Sequence, residues 1–270
     1  MRLAPACAVF AFAAVGLAST TAHASDDDLA LRPRHKDYQS PQHFYLELRF
    51  APYKPQIDDA PGLHETPDNN TSATPWKDTF RDFPRLLPAI EFDWQIFRIP
   101  YLGTVGLGAS FGYTRMSASA PKLDPDNTAS NEPSGTKTYM EVFPMYAVAV
   151  LRADVFMRQM GIPFVPYGKF GIGYIPWRTF TDGGTSYQDQ PDGSTVYGKG
   201  QTWGVHVAAG IAFQLDVIDL YTAKNLDQTL GINHTYLYGE WMFANYRGIG
   251  QSNVLWVGTS TWVTGLAFEF

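Results

Sequence analysis

The 270-residue sequence holds a single cysteine, Cys7, and no cluster of Lys or Arg. One thiol near the start of the chain leaves nothing for a disulfide framework or a thiolate metal site, and no cysteine nucleophile in the body of the protein. With 20 Lys+Arg against 26 Asp+Glu, the formal net charge is −6, which argues against electrostatic capture of nucleic acid. A transmembrane helix is missing too. The longest apolar run, Leu3 to Ala18, is interrupted by Pro5 and Gly16 and is shorter than the roughly 20 residues a helix needs to cross a bilayer.

That run is instead the centre of a secretory leader. Met1-Arg2 precede it, and Ser19 to Thr21 and then Ala22-His23-Ala24 follow, an A-x-A site with cleavage expected after Ala24. Residues 1–24 are therefore expected to be a signal peptide. Cys7 falls within it, so the mature protein has no cysteine. Residues 25–41, with Asp26-Asp27-Asp28, Arg32, Arg34 and Lys36 and no apolar period, are expected to be a periplasmic linker, leaving 42–270 as one domain.

From Phe44 the chain alternates. Phe44, Leu46, Leu48 and Phe50 interleave with Tyr45, Glu47, Arg49 and Ala51, the period-2 mark of a strand. The pattern returns with Ile90, Phe92, Trp94 and Ile96 against Glu91, Asp93 and Gln95, and with Val105 to Tyr113 against Gly106, Gly108, Ser110 and Gly112. Phe170, Ile172 and Tyr174 oppose Lys169, Gly171 and Gly173. Trp203 to Leu215 oppose Thr202 to Gln214, the latter face including His206 and Gly210. Leu237, Trp241 and Phe243 oppose Tyr236, Tyr238 and Glu240, and a last strand is expected from about Leu255 to Phe270. A strand near 139–152 is apolar on both faces, so its sides stay unassigned. Thr222 to Leu226 reads as a short helical turn, and the segments from Pro52 to about Arg85 and from about Ser117 to Lys137 read as exposed loops.

Eight strands of about ten residues or more are long enough to cross a bilayer when tilted, and about twice as long as the strands of soluble sandwiches. Connections after the first, third and fifth are long and polar, and those after the second, fourth and sixth are short or compact, the asymmetry of outer-membrane barrels, with the short loop after the seventh, near Arg247 to Asn253, as the exception. The expected fold is an all-β, eight-stranded antiparallel up-and-down transmembrane β-barrel in the cell outer membrane. Its apolar rows face lipid, and a lumen cluster of Glu47, Arg49, Glu91, Asp93, Lys169, His206 and Glu240 faces inward beside small residues. A soluble barrel would invert this pattern.

Leu266, Phe268 and the terminal Phe270 resemble the C-terminal signal read by the barrel-assembly machinery. Leu46-Glu47-Leu48-Arg49-Phe50-Ala51-Pro52-Tyr53-Lys54-Pro55-Gln56-Ile57-Asp58 and Gly231-Ile232-Asn233-His234-Thr235-Tyr236-Leu237-Tyr238 resemble segments of a myxobacterial family of outer-membrane β-barrels without an assigned activity. The resemblance covers the whole mature chain. It implies fold and location, and no catalytic residue.

His206, His234 and Glu240 suggest a His–acid pair of a lipid-modifying enzyme, but no serine stands beside them, and they read as satisfied lumen groups. The lumen charges could line a narrow porin-like channel; paired in a tight interior they would close it instead. Asp58, Asp59, Asp124, Asp126, Asp182 and Asp192 lack calcium-loop spacing and read as solvated loop residues. Trp94, Trp203, Trp241, Trp256 and Trp262 read as interfacial or lipid-facing aromatics rather than a sugar site. The expectation is therefore a structural or surface-interaction barrel and not an enzyme, with no cofactor and no metal. Its partners would be outer-membrane lipid, lipopolysaccharide, and whatever the extracellular loops bind.

Overall fold

The computed structural model describes residues 43–61, 74–123, 129–189, 193–251 and 254–270. The expected leader, cleavage site and linker, together with Asp124, Asp126 and Asp192, lie outside the described residues. Thirteen strands are present among the described residues: β1 (Phe44–Tyr53), β2 (Arg85–Ile99), β3 (Gly103–Gly112), β4 (Thr114–Leu123), β5 (Ala129–Val142), β6 (Met145–Arg152), β7 (Phe164–Thr181), β8 (Gly184–Thr185), β9 (Tyr187–Asp189), β10 (Thr195–Tyr197), β11 (Lys199–Gln214), β12 (His234–Asn245) and β13 (Thr259–Glu269). Among the described residues no helix is long and apolar enough to span a membrane.

Eight of the strands close a ring. The antiparallel order is β1-β2-β3-β6-β7-β11-β12-β13, and β13 pairs back onto β1, Leu48 opposite Leu266 and Leu46 opposite Phe268. Closure satisfies every edge of the ring, which is what lets those strands sit in hydrocarbon, where an unpaired backbone group costs several kcal/mol. Both chain ends of the barrel meet at one rim, the Phe44 and His43 amides donating to the Phe270 carbonyl. We call this the terminal end and the opposite rim the far end.

The expected faces are the observed ones. Glu47, Arg49, Glu91, Asp93, Lys169 and His206 are buried inside, while Leu48, Phe92, Phe170, Ile172, Leu237 and Trp262 are exposed on the outer wall. The strand with two apolar faces is also settled: Tyr146, Val148, Val150 and Arg152 point inward, and Ala147, Ala149 and Leu151 outward. Two close approaches explain part of the glycine face. A β-carbon at Gly173 or Gly204 would fall on the ring of Tyr246, so the tyrosine enters the lumen only because those positions carry none.

Four sequence expectations need correction. The segment 117–137 is not a loop throughout: β4 and β5 pair with each other, and β5 pairs on to β7, carrying the wall beyond the ring. The interruption at Phe143-Pro144 reflects a proline without an amide hydrogen to give. The segment before Arg85 is not simply exposed. It contains a 3-10 turn (Ile57–Asp59) and α1 (Pro75–Phe80), whose Trp76 and Phe80 are buried with Ile57 and Tyr53. Asp58 accepts from the Trp76 and Lys77 amides and so ties the two pieces together. The last strand starts at Thr259 rather than Leu255, and Trp256, which precedes it, lies under Arg247 at 4.4 Å instead of on a lipid-facing strand.

The fourth correction concerns the terminal end. α2 (Val155–Met160) and α3 (Leu220–Leu230) fill the turns there. α3 is longer than the expected turn at 222–226. Its first amides are capped by Asp219, which accepts from Tyr221 and Thr222, and it stops at Gly231 in the left-handed conformation, φ 71°.

Candidate functional site in the barrel lumen

Register brings Glu47 of β1 directly opposite Glu91 of β2 and Tyr45 opposite Asp93, so two carboxylates face each other across one strand pair. Like charges so placed repel. The lumen resolves this with three cations, Arg49 of β1 itself and two from strands farther round the barrel. Lys169 of β7 reaches Glu47 at 2.7 Å, Glu91 at 2.8 Å and Glu240 at 3.4 Å. Arg49 binds Glu47 at 2.6 Å and Glu91 at 2.8 Å with one nitrogen and Glu240 with the other. Arg152 of β6 pairs with Asp93 and lies 3.3 Å from Glu47.

Tyrosines complete the set. Tyr146 donates to Glu91 at 2.6 Å and Tyr167 to Glu240 at 3.0 Å, while the Arg152 guanidinium lies 3.8 Å from the centre of the Tyr45 ring. One turn of pairs nearer the terminal end, Gln95 and Tyr236 both donate to Glu269, at 2.8 and 2.7 Å. Buried charges persist only when paired and hydrogen-bonded, and here three cations face four carboxylates with phenols taking further lone pairs.

Six of the seven sequence-predicted lumen residues thus form one ion-paired cluster. The seventh, His206, is buried but stands apart from the carboxylates. Its ring stacks on Tyr146 at 3.8 Å and its Nδ1 is 3.1 Å from the Tyr246 hydroxyl. The sequence pattern does not single out Arg152, because its strand shows no polar face to signal direction, or Glu269, which falls on the inward face of the last strand with Val263, Gly265 and Ala267 as its one charge.

The carboxylates Glu47, Glu91 and Asp93 have oxygens within 4.8 Å of one another, a spacing that could hold a cation. Lys169, Arg49 and Arg152 already supply that charge. A catalytic set is not assembled among the described residues either: Glu240 is engaged by Arg49, Lys169 and Tyr167, and His206 by Tyr246. His234 sits at the terminal end with its Nδ1 2.5 Å from Asp216. Burial pushes the Asp216 carboxyl up, but hydrogen bonds from His234, Gln214 and the Thr235 amide hold it below its ordinary value.

Toward the far end the charges give way to a cavity of about 30 Å³ bordered by Arg49, Ser110, Tyr146 and Tyr246. That is room for a water or two and nothing larger. Beyond it, Tyr53, Ile57, Met116 and Met140 pack with Trp76 and Phe80, whose rings stack at 4.9 Å.

A closed antiparallel sheet of eight strands, apolar without and ionised within, defines a transmembrane β-barrel of the outer-membrane type. Neither a family model nor a curated protein matches the sequence. Among solved structures the chain is similar to the outer-membrane protein OprG from Pseudomonas aeruginosa, at 12% identity over 86% of this chain and 97% of that one, with a TM-score of 0.43. It is also similar to Ail of Yersinia pestis, solved with the heparin analogue sucrose octasulfate, at 10% identity over 85% and 97% of the two chains, TM-score 0.38. The N-terminal β-barrel domain of Pseudomonas aeruginosa OprF gives 9% identity, 85% and 100% coverage, and a TM-score of 0.33. At these identities the likeness is one of fold alone.

Proposed function

We propose that this chain is an integral outer-membrane barrel closed by its own side chains, acting as a structural or surface-interaction protein through its far end, and not as an enzyme. The observation that carries the reading is the lumen cluster: Glu47, Arg49, Glu91, Asp93, Arg152, Lys169 and Glu240 are buried and bonded to one another across the barrel. A solute passing along the axis would have to break those pairs, and the Trp76–Phe80 cap stands beyond them.

In this reading residues 1–24 are removed on secretion, 25–41 lie in the periplasm, and the terminal end faces inward. The far end, with α1 and the β4–β5 hairpin, is then extracellular and surrounded by lipopolysaccharide. Leu266, Phe268 and Phe270 serve the assembly machinery, Leu266 and Phe268 pairing in the seam that closes the ring. Kinship with the myxobacterial barrels belongs to the same proposal. Its two segments cover β1 with the following turn, and the α3 cap with the start of β12.

The test is recording across planar bilayers with the refolded protein. No stable conductance is expected. Ohmic steps that scale with salt would replace this reading with the narrow-channel one.

A further inference from the structure

The outer wall carries a second charged set, unrelated to the lumen. Register places Arg115 of β4 opposite Glu141 of β5, Glu141 opposite Arg178 of β7, and Arg178 opposite Lys199 of β11, so four adjacent strands present one row. The row faces outward: its chain neighbours Thr114, Met116, Met140 and Val142 are buried, while Arg115, Arg178 and Lys199 are exposed.

Its height on the wall follows from the same register. Two residues nearer the terminal end, the rings of Tyr113 and Phe143 meet at 5.3 Å and Pro176 pairs with Gln201. Two further on come Phe111, Met145, Tyr174 and Trp203, and then Ala109, Ala147, Ile172 and Val205. Each such step is roughly 6.7 Å along a strand. The cations therefore stand roughly 13 Å along the strands, or about 10 Å of height at the usual barrel tilt, beyond the Trp203 level, where aromatic side chains mark the boundary with lipid headgroups.

Charge and geometry both ask for an anion there. Glu141 is buried, accepts from Arg178 at 2.5 Å and from the Tyr113 hydroxyl at 3.0 Å, and lies 4.0 Å from Arg115. Among the described residues no other carboxylate pairs with Arg115, Arg178 or Lys199. Arg178 and Lys199 are left directly opposite each other, an arrangement that repels unless a counter-charge sits between them. The guanidiniums are steadied on rings, Arg115 at 4.6 Å from Tyr139 and 5.2 Å from Phe180, Arg178 at 5.7 Å from Phe180. Held this way, their remaining N–H edges suit bidentate contact with phosphate oxygens.

We propose that Arg115, Arg178 and Lys199 bind the phosphorylated headgroup of an anionic outer-leaflet lipid against this side of the barrel. The proposal rests on the membrane reading above, and the two can fail separately. The experiment is native mass spectrometry of the folded, detergent-extracted protein with diphosphoryl lipid A, with phosphatidylcholine, and with inorganic phosphate as competitor. The wild type should retain lipid A over phosphatidylcholine, and millimolar phosphate should not displace it. Arg115→Gln with Lys199→Gln leaves the Arg178–Glu141 pair in place and should lower lipid A retention about tenfold or more, without changing phosphatidylcholine retention. Lys199→Gln alone serves as the milder second variant.

Equal retention of the two lipids, undiminished retention by both variants, or full displacement by inorganic phosphate would overturn the proposal. If heat-modifiable gel mobility showed no detergent-embedded barrel at all, the membrane reading itself would fall.

Discussion

Replacing Lys169 by methionine keeps the stem and the approximate volume but removes the ammonium that three carboxylates share. The Lys169 side chain is fully buried, with contacts of 2.7, 2.8 and 3.4 Å to Glu47, Glu91 and Glu240. At an effective dielectric of about 20, each contact carries roughly 5–6 kcal/mol of gross attraction, offset by burial of the ions and by repulsion from Arg49. Breaking a buried pair by removing one partner costs about 3–5 kcal/mol net, because the stranded charge has no water to turn to. Lys169→Met should therefore destabilise by about that amount. Urea titration in lipid vesicles, followed by tryptophan fluorescence with heat-modifiable mobility as the folding readout, measures it. Adding Glu91→Gln removes one of the orphaned charges, and the double variant should recover at least about 1 kcal/mol as coupling between neighbours. A single-variant cost under about 1 kcal/mol, or no recovery in the double, would refute the claim that mutual ion pairing holds the lumen.

Two further outcomes follow from the wall and the terminal end. Phe170 is exposed on the outer face of β7, paired on either side with Val207 of β11 and Ala149 of β6 two steps inside the Trp203 level, and Phe170→Arg should cost about 2–4 kcal/mol in vesicles; a neutral effect in the same titration would place that face in water. Asp216 has its folded-state pKa held down by His234, Gln214 and Thr235, so the stability it contributes is full above the unfolded carboxylate value of about 4 and is lost as pH falls through its lower folded value. Asp216→Asn should thus lower the urea midpoint at pH 7 and converge on the wild type in strong acid, and a gap independent of pH would contradict the assignment.

The lumen cluster was legible where a strand contrasted sharply with itself. Glu47 and Arg49 alternate with Leu46, Leu48 and Phe50, and Lys169 alternates with Phe170, so a side-chain period of two assigns inside and outside without further help. Arg152 was not legible, because Tyr146, Val148 and Val150 share its face and Met145, Ala147 and Leu151 the other, and only pairing to β3 and β7 sets the direction. The β4–β5 hairpin was read as loop for a related reason. Beyond the bilayer a strand has no lipid to face, so its residues need not alternate, and Ser117 to Lys137 show none of the contrast that marks the spans.

Local order in the sequence thus determined the count of spanning strands, the sign of each clear face and the closed barrel that those faces demand, since each follows from what water and hydrocarbon require of neighbouring residues. Tertiary structure alone decided which charges touch. Lys169 meets Glu47 across 122 positions of chain and Arg49 meets Glu240 across 191. Such distances are closed by the tilt and register of the finished ring, and no local pattern carries them.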